Sequence, residues 1–177
     1  MARVALGLGA NLGDRLQALQ TAVDVIVRDP AVRAVAISAL VETDPVGGPD
    51  QPDYLNAVLV IETTLPPVEV LALAHLAESE CGRTRDVRWG ARTLDVDVVD
   101  YQDVVSSDPT LMLPHPRALE RGFVLVPWAD ADPDQVIAGT TIRVADALAA
   151  LGAAGLDGVR NRDDLSLELP GGHTVTS

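Results

Sequence analysis

The stretch YLNAVLVIETTLPPVEVLALAHLAESECG, Tyr54 to Gly82, changes its periodicity halfway along. Up to Thr63 the alternation has a period of two. Tyr54, Asn56, Val58 and Val60 share one face and Leu55, Ala57, Leu59 and Ile61 the other, which is the pattern of a strand. Pro66 and Pro67 then open a helix, because proline fits a first turn. Val70, Leu73, Ala74, Ala77 and Cys81 give that helix an apolar stripe, and Gly82 ends it. Upstream, Val4 to Leu8 reads as a strand. Asp14 caps a helix over 15–27 with Gln17 in the capping-box position, and Leu16, Leu19, Val23, Ile26 and Val27 line one side. A second strand is expected over 34–43, followed by the turn-rich loop DPVGGPDQPD, 44–53. Downstream, Leu94 to Tyr101 is a fourth strand.

The order is therefore strand, helix, strand, strand, helix, strand. That is the split βαβ arrangement of an α+β, ferredoxin-like core, an antiparallel sheet with helices on one face. The remainder adds to it: a proline-rich turn becoming helical over 114–129 and a short helix over 143–151. One domain is expected over 1–152, and the Gly- and Asp-rich tail 153–177 is expected to be partly disordered.

Composition narrows the function. The 177 residues carry a net charge of −13, which disfavours a nucleic-acid surface. No apolar run reaches the roughly 18–20 residues of a membrane span. The N-terminal segment is a poor signal peptide, and a single cysteine excludes an intrachain disulfide, so the expected address is the cytoplasm. All 13 basic residues are arginine, which excludes a P-loop lysine and Schiff-base chemistry. Arg83, Arg85, Arg88 and Arg92 crowd into ten residues. The cluster is either a phosphate or carboxylate grip or a solvated loop paired to nearby acids.

GLGANLG (7–13) lacks the spacing of a dinucleotide fingerprint and reads as a tight turn between strand and helix. Asp95 and Asp97, two apart on a strand, leave the same face about 6.5–7 Å apart at the backbone. Their side chains can converge on one divalent ion or two, with oxygen ligands favouring Mg²⁺. A solvent-facing acidic strip is the alternative, and the adjacent arginines favour the metal. His115, between Pro114 and Pro116, with Arg117 and Arg121 at i, i+4 spacing, is either an anion site at a helix start or a surface turn. Tyr54 and Asn56 share a strand face that offers stacking beside an amide.

Taken together, RWGARTLDVDVV (88–99), GANLGD (9–14), QPDYLNA (51–57), GRTR (82–85) and PHPRALERGFVL (114–125) resemble the 6-hydroxymethyl-7,8-dihydropterin pyrophosphokinase family of folate synthesis, in order and over about residues 3–150. The resemblance implies a ferredoxin-like enzyme that moves pyrophosphate from ATP to the pterin hydroxymethyl group with two Mg²⁺ ions and releases AMP. It implies that Asp95 and Asp97 hold the metal. Tyr54, Asn56 and Phe123 would hold the pterin, with Thr43, Pro45 and Val46 beside it. Glu78, Arg83, Arg85, Trp89, Arg92, Val98, His115 and Arg121 would line the ATP side, and Arg83, Arg92, Asp95 and Asp97 would serve catalysis. A monomer with small-molecule substrates only is expected. Ala91 and Asp44 depart from prolines common in the family. A non-catalytic ferredoxin-like binding module and a Mg²⁺-dependent phosphohydrolase are the rival readings. The clustered arginines and paired Asp speak against the first, and the pterin-pocket residues against the second.

Overall fold

A computed structural model describes residues 1–45, 50–81 and 94–171. In chain order these form β1 (Ala2–Ala10), α1 (Arg15–Val27), β2 (Val32–Ile37), β3 (Val41–Thr43), β4 (Tyr54–Thr63), α2 (Pro67–Glu80) and β5 (Asp95–Tyr101). A hairpin of β6 (Ser106–Asp108) and β7 (Leu111–Leu113) follows, then a 3-10 turn (Ala118–Glu120), α3 (Gly122–Ala131), α4 (Val144–Gly155) and β8 (Val159–Asn161). The Asp14 carboxylate accepts the Gln17 N–H at 3.0 Å and starts α1 as its sequence predicts. Gln17 does not complete a capping box; its amide turns toward Thr21.

The expected strand over 34–43 is two strands, both laid along β4. The break is at Ser38. Its N–H still reaches the Val58 carbonyl (3.0 Å), but its hydroxyl, in place of a backbone carbonyl, accepts the Val58 N–H (2.9 Å). The sheet runs β5-β1-β4-β3-β8, with β2 also on β4, and its pairings are antiparallel. The first and third strands of the predicted core are thus central, with the fourth and second outside them, as a split βαβ order requires.

Both faces of the sheet carry helices, where one was expected. Leu6, Leu8, Leu55, Leu59, Ile61, Val96 and Val98 pack under α1 and α2 against Leu19, Val23, Ile26, Val70 and Ala74. Ala5, Val58, Val60 and Val99 pack on the other face against Leu125 and Trp128 of α3 and Val144 and Ala147 of α4. The alternation of β4 anticipated two apolar faces; α3 and α4 are what cover the second.

Past the expected boundary at 152/153, the described residues of the tail, up to Gly171, continue the fold. Helix α4 continues to Gly155, across a non-helical Gly152 (φ 74°). Strand β8 then pairs with β3, and Leu167 is buried in the core with Leu165 and Leu169 packed beside it. Asp100, which composition leaves without a role, is fully buried next to a bulge in β5. Its two oxygens accept the Ala138 N–H (3.0 Å) and the Gln135 amide (2.8 Å), while Gln135 in turn accepts the Trp128 indole N–H (3.1 Å). Burial pushes this carboxyl up, against both hydrogen bonds. No described helix is long and apolar enough to cross a membrane.

Candidate active site

Because α3 and α4 cover only part of the second sheet face, the rest floors an open cleft of about 1020 Å³. Strand β1 crosses its middle. Gly9 faces Asp95 on one side and Asn56 on the other, and Gly7 faces Asp97 and Val58. A Cβ at Gly9 would sit 3.0 Å from the Asn56 Oδ1, and one at Gly7 would sit 3.2 Å from Val99 Cγ2. These two glycines keep the floor clear between β4 and β5. The tight turn expected of GLGANLG falls to Gly13 alone, at φ 62°. Gly7 and Gly9 are site residues that the turn reading missed; glycine at alternate positions of one strand face was the available signal.

On the β4 side, Asn56 is buried and its Nδ2 donates to Thr43 Oγ1 at 3.0 Å. That bond fixes the amide with its oxygen toward the glycine floor. Tyr54, Thr43 and Pro45 line the same end. Nearby, Arg15 bonds Glu42 (2.6 Å) and the Asp53 carbonyl (2.9 Å), and Asn11 bonds Gln51 (3.0 Å). The Arg15 guanidinium holds the Glu42 carboxyl below its usual range, against a smaller desolvation effect.

On the β5 side, Asp95 and Asp97 are half-buried and line the cleft, while Val96 and Val98 alternate into the core. Val98 is 4% exposed, so the expectation that it lines the ATP side is left to its backbone alone. Glu78 also departs from expectation. It is buried on α2, outside the described lining of the cleft, and its Oε1 accepts the Val96 N–H at 2.9 Å. It thus grips the strand between the two aspartates.

The third wall is the turn after β7. The His115 N–H donates to the Val99 carbonyl (2.7 Å), and its Nδ1 accepts the Arg117 N–H (3.3 Å). An accepting Nδ1 puts the proton of a neutral imidazole on Nε2. Burial, then the Arg121 charge, lower the His115 pKa, with Asp95 opposing. Arg121 lies over the Phe123 ring at 5.5 Å, and both line the cleft. Val46, Arg83, Arg85, Trp89 and Arg92 lie outside the described residues. The structure therefore gathers Thr43, Pro45, Tyr54, Asn56, Asp95, Asp97, His115, Arg121 and Phe123 around one cleft. Among the described residues there is no cluster of three or more His, Cys, Asp or Glu able to hold a metal ion.

The chain is similar to known proteins. The family described as 7,8-dihydro-6-hydroxymethylpterin-pyrophosphokinase (HPPK) matches residues 5–133. A 2-amino-4-hydroxy-6-hydroxymethyldihydropteridine pyrophosphokinase of Methylorubrum extorquens is 44% identical over 159 residues, covering 90% of this chain and 99% of that relative. One of Mycobacterium leprae is 41% identical over 173 residues, covering 90% and 88%. The wild-type Plasmodium falciparum HPPK-DHPS crystal structure with pteroate shares the fold at a TM-score of 0.71 and 11% identity, over 90% of this chain and 47% of that one. This chain spans less than half the length of that solved chain. Matched over residues 5–133, and with relatives at 41–44% identity along most of their length, the chain belongs to the 7,8-dihydro-6-hydroxymethylpterin-pyrophosphokinase family.

Proposed function

We propose that this chain transfers pyrophosphate from ATP to the hydroxymethyl group of 6-hydroxymethyl-7,8-dihydropterin, releasing AMP, as a step of folate synthesis. The observation that carries this reading is the glycine floor. It joins a stacking-and-amide end (Tyr54, Asn56, Thr43) to a paired-carboxylate end (Asp95, Asp97) within one cleft. The pterin ring lies between Tyr54 and Phe123, and the fixed Asn56 amide reads its edge, with Pro45 alongside; the family resemblance adds Val46 to this end.

The carboxylate end suits a hard cation. Asp95 and Asp97 supply oxygen ligands that line the cleft, and a hard cation so held keeps water and phosphate oxygens as further ligands. Asp95 and Asp97 would hold two Mg²⁺ ions, whose charge, when bound, offsets that of the triphosphate. Arg121 and the neutral His115 donate to phosphate oxygens, and the family resemblance assigns Arg83, Arg85, Trp89 and Arg92 to nucleotide binding as well. The hydroxymethyl oxygen attacks the β-phosphorus in line. Its O–P bond forms as the bond from the β-phosphorus to the α–β bridging oxygen breaks, AMP leaves with that oxygen, and the hydroxyl proton passes to the Asp97 carboxylate. Glu78 acts through the backbone, by fixing Val96. The proposal extends to a cytoplasmic monomer whose partners are small molecules rather than nucleic acid or membrane.

Incubating the protein with Mg²⁺, ATP and the reduced hydroxymethyl pterin, then resolving the nucleotides, tests this. AMP formed only when pterin is present is the expected result. ADP, pterin-independent hydrolysis or no turnover would overturn it. Asp97→Asn should cut turnover by at least about 100-fold, since a neutral amide replaces a charged ligand; near-normal turnover would remove Asp97 from the mechanism.

A further inference from the structure

Strand β8 closes the sheet beyond β3, with Arg160 opposite Glu42. From there the Arg160 guanidinium bonds two carboxylates, Asp44 at 2.9 Å and Asp53 at 3.0 Å. These residues have a particular position. The β3–β4 ladder ends at the pair Thr43 and Tyr54, and Asp44 and Asp53 are the next residue on each strand. Two carboxylates facing each other at the end of a ladder repel and open it. Arg160 places one cation between them. The opening it opposes begins at Thr43 and Tyr54, one step from Asn56, whose amide is held by Thr43.

The segment around Arg160 is built into the cleft. Asp157, Gly158 and Val159 line it, and Gly122 packs so closely on the end of α4 that a Cβ there would lie 2.3 Å from the Gly155 carbonyl oxygen. Arg162 adds a second tie, bonding Glu42 at 3.2 Å.

We propose that Arg160 is a positioning residue for the heterocycle end of the cleft: by holding Asp44 and Asp53 together it sets Thr43, Tyr54 and Asn56 at the spacing the pterin ring requires. This inference rests on the pterin reading of the cleft. The pairs are exposed, and each alone contributes little. What distinguishes this arginine is the repulsion left behind when it is removed.

Arg160→Gln should raise the KM for pterin roughly fivefold, with kcat and the KM for ATP within about twofold of wild type. Asp53→Asn in the Arg160→Gln background removes the facing charge and should return the pterin KM to within about twofold of wild type. In parallel, amide hydrogen exchange in Arg160→Gln should accelerate at 41–43 and 54–56 and not in α1 or α2. An unchanged pterin KM, an equal rise in both KM values or failure of Asp53→Asn to rescue would overturn the proposal. If the wild-type protein forms no AMP from ATP and pterin, the functional reading fails. The exchange comparison then still decides the role of Arg160, and unchanged protection at 41–43 and 54–56 overturns it.

Discussion

Gly9 matters to the cleft for the side chain it lacks. Alanine has the better strand propensity, by roughly 0.5–1 kcal/mol, but overpacking a tight site costs about 1–3 kcal/mol. At Gly9 the added methyl would meet Asn56 Oδ1 at 3.0 Å, and the Thr43 bond keeps that amide from turning away. Gly9→Ala should therefore fold with a Tm near or slightly below that of the wild type, while binding pterin about tenfold more weakly in a fluorescence titration. A wild-type affinity would remove Gly9 from the site. His115 gives a second test at this scale. Because burial and then Arg121 disfavour its charged form, its imidazole should titrate by NMR with a midpoint below 6.5, and Arg121→Ala should raise that midpoint. A midpoint above 6.5 would contradict the neutral Nε2–H donor.

At the scale of the element, β5 is an edge strand that carries the most demanding residues of the site. Its inner edge pairs with β1; its outer edge is held by the Glu78 carboxylate on the Val96 N–H and by the His115 N–H on the Val99 carbonyl. An edge strand left unsupported would let Asp95 and Asp97 rotate together with the backbone. Glu78→Ala leaves the buried Val96 N–H without that acceptor, a cost of about 1–3 kcal/mol, and should raise the Mg²⁺ concentration needed for half-maximal turnover several-fold. Glu78→Gln retains an acceptor oxygen and should lie between Ala and wild type in both Tm and Mg²⁺ requirement. Equal behaviour of Ala and wild type would show that Glu78 does not position the strand.

For the molecule as a whole, what could be read in the sequence was what local pattern dictates. Asp14 before an apolar stripe, the alternation of 54–63 and Asp95-Val96-Asp97 within a strand each announce themselves over a few residues. What stayed hidden depends on partners far along the chain. The role of Asp100 needs Gln135 and Ala138. Ser38 interrupts a strand only because it meets Val58. The tail looked unstructured because β8 is three residues long and has meaning only beside β3. The helices on the second face followed the same rule: α3 was legible as a helix, but not the surface it would cover.

The bare strand β1 has a further consequence for how this enzyme can change. In the proposed reading, Tyr54 and Asn56 on β4 serve the heterocycle and Asp95 and Asp97 on β5 serve the phosphates, two strand spacings, about 9.5 Å, apart. With no side chain projecting between them from Gly7 or Gly9, the two sets are modular. Alterations in one can accumulate without retuning the other, and remodelling the ring-binding end toward another bicyclic alcohol would leave nucleotide handling intact.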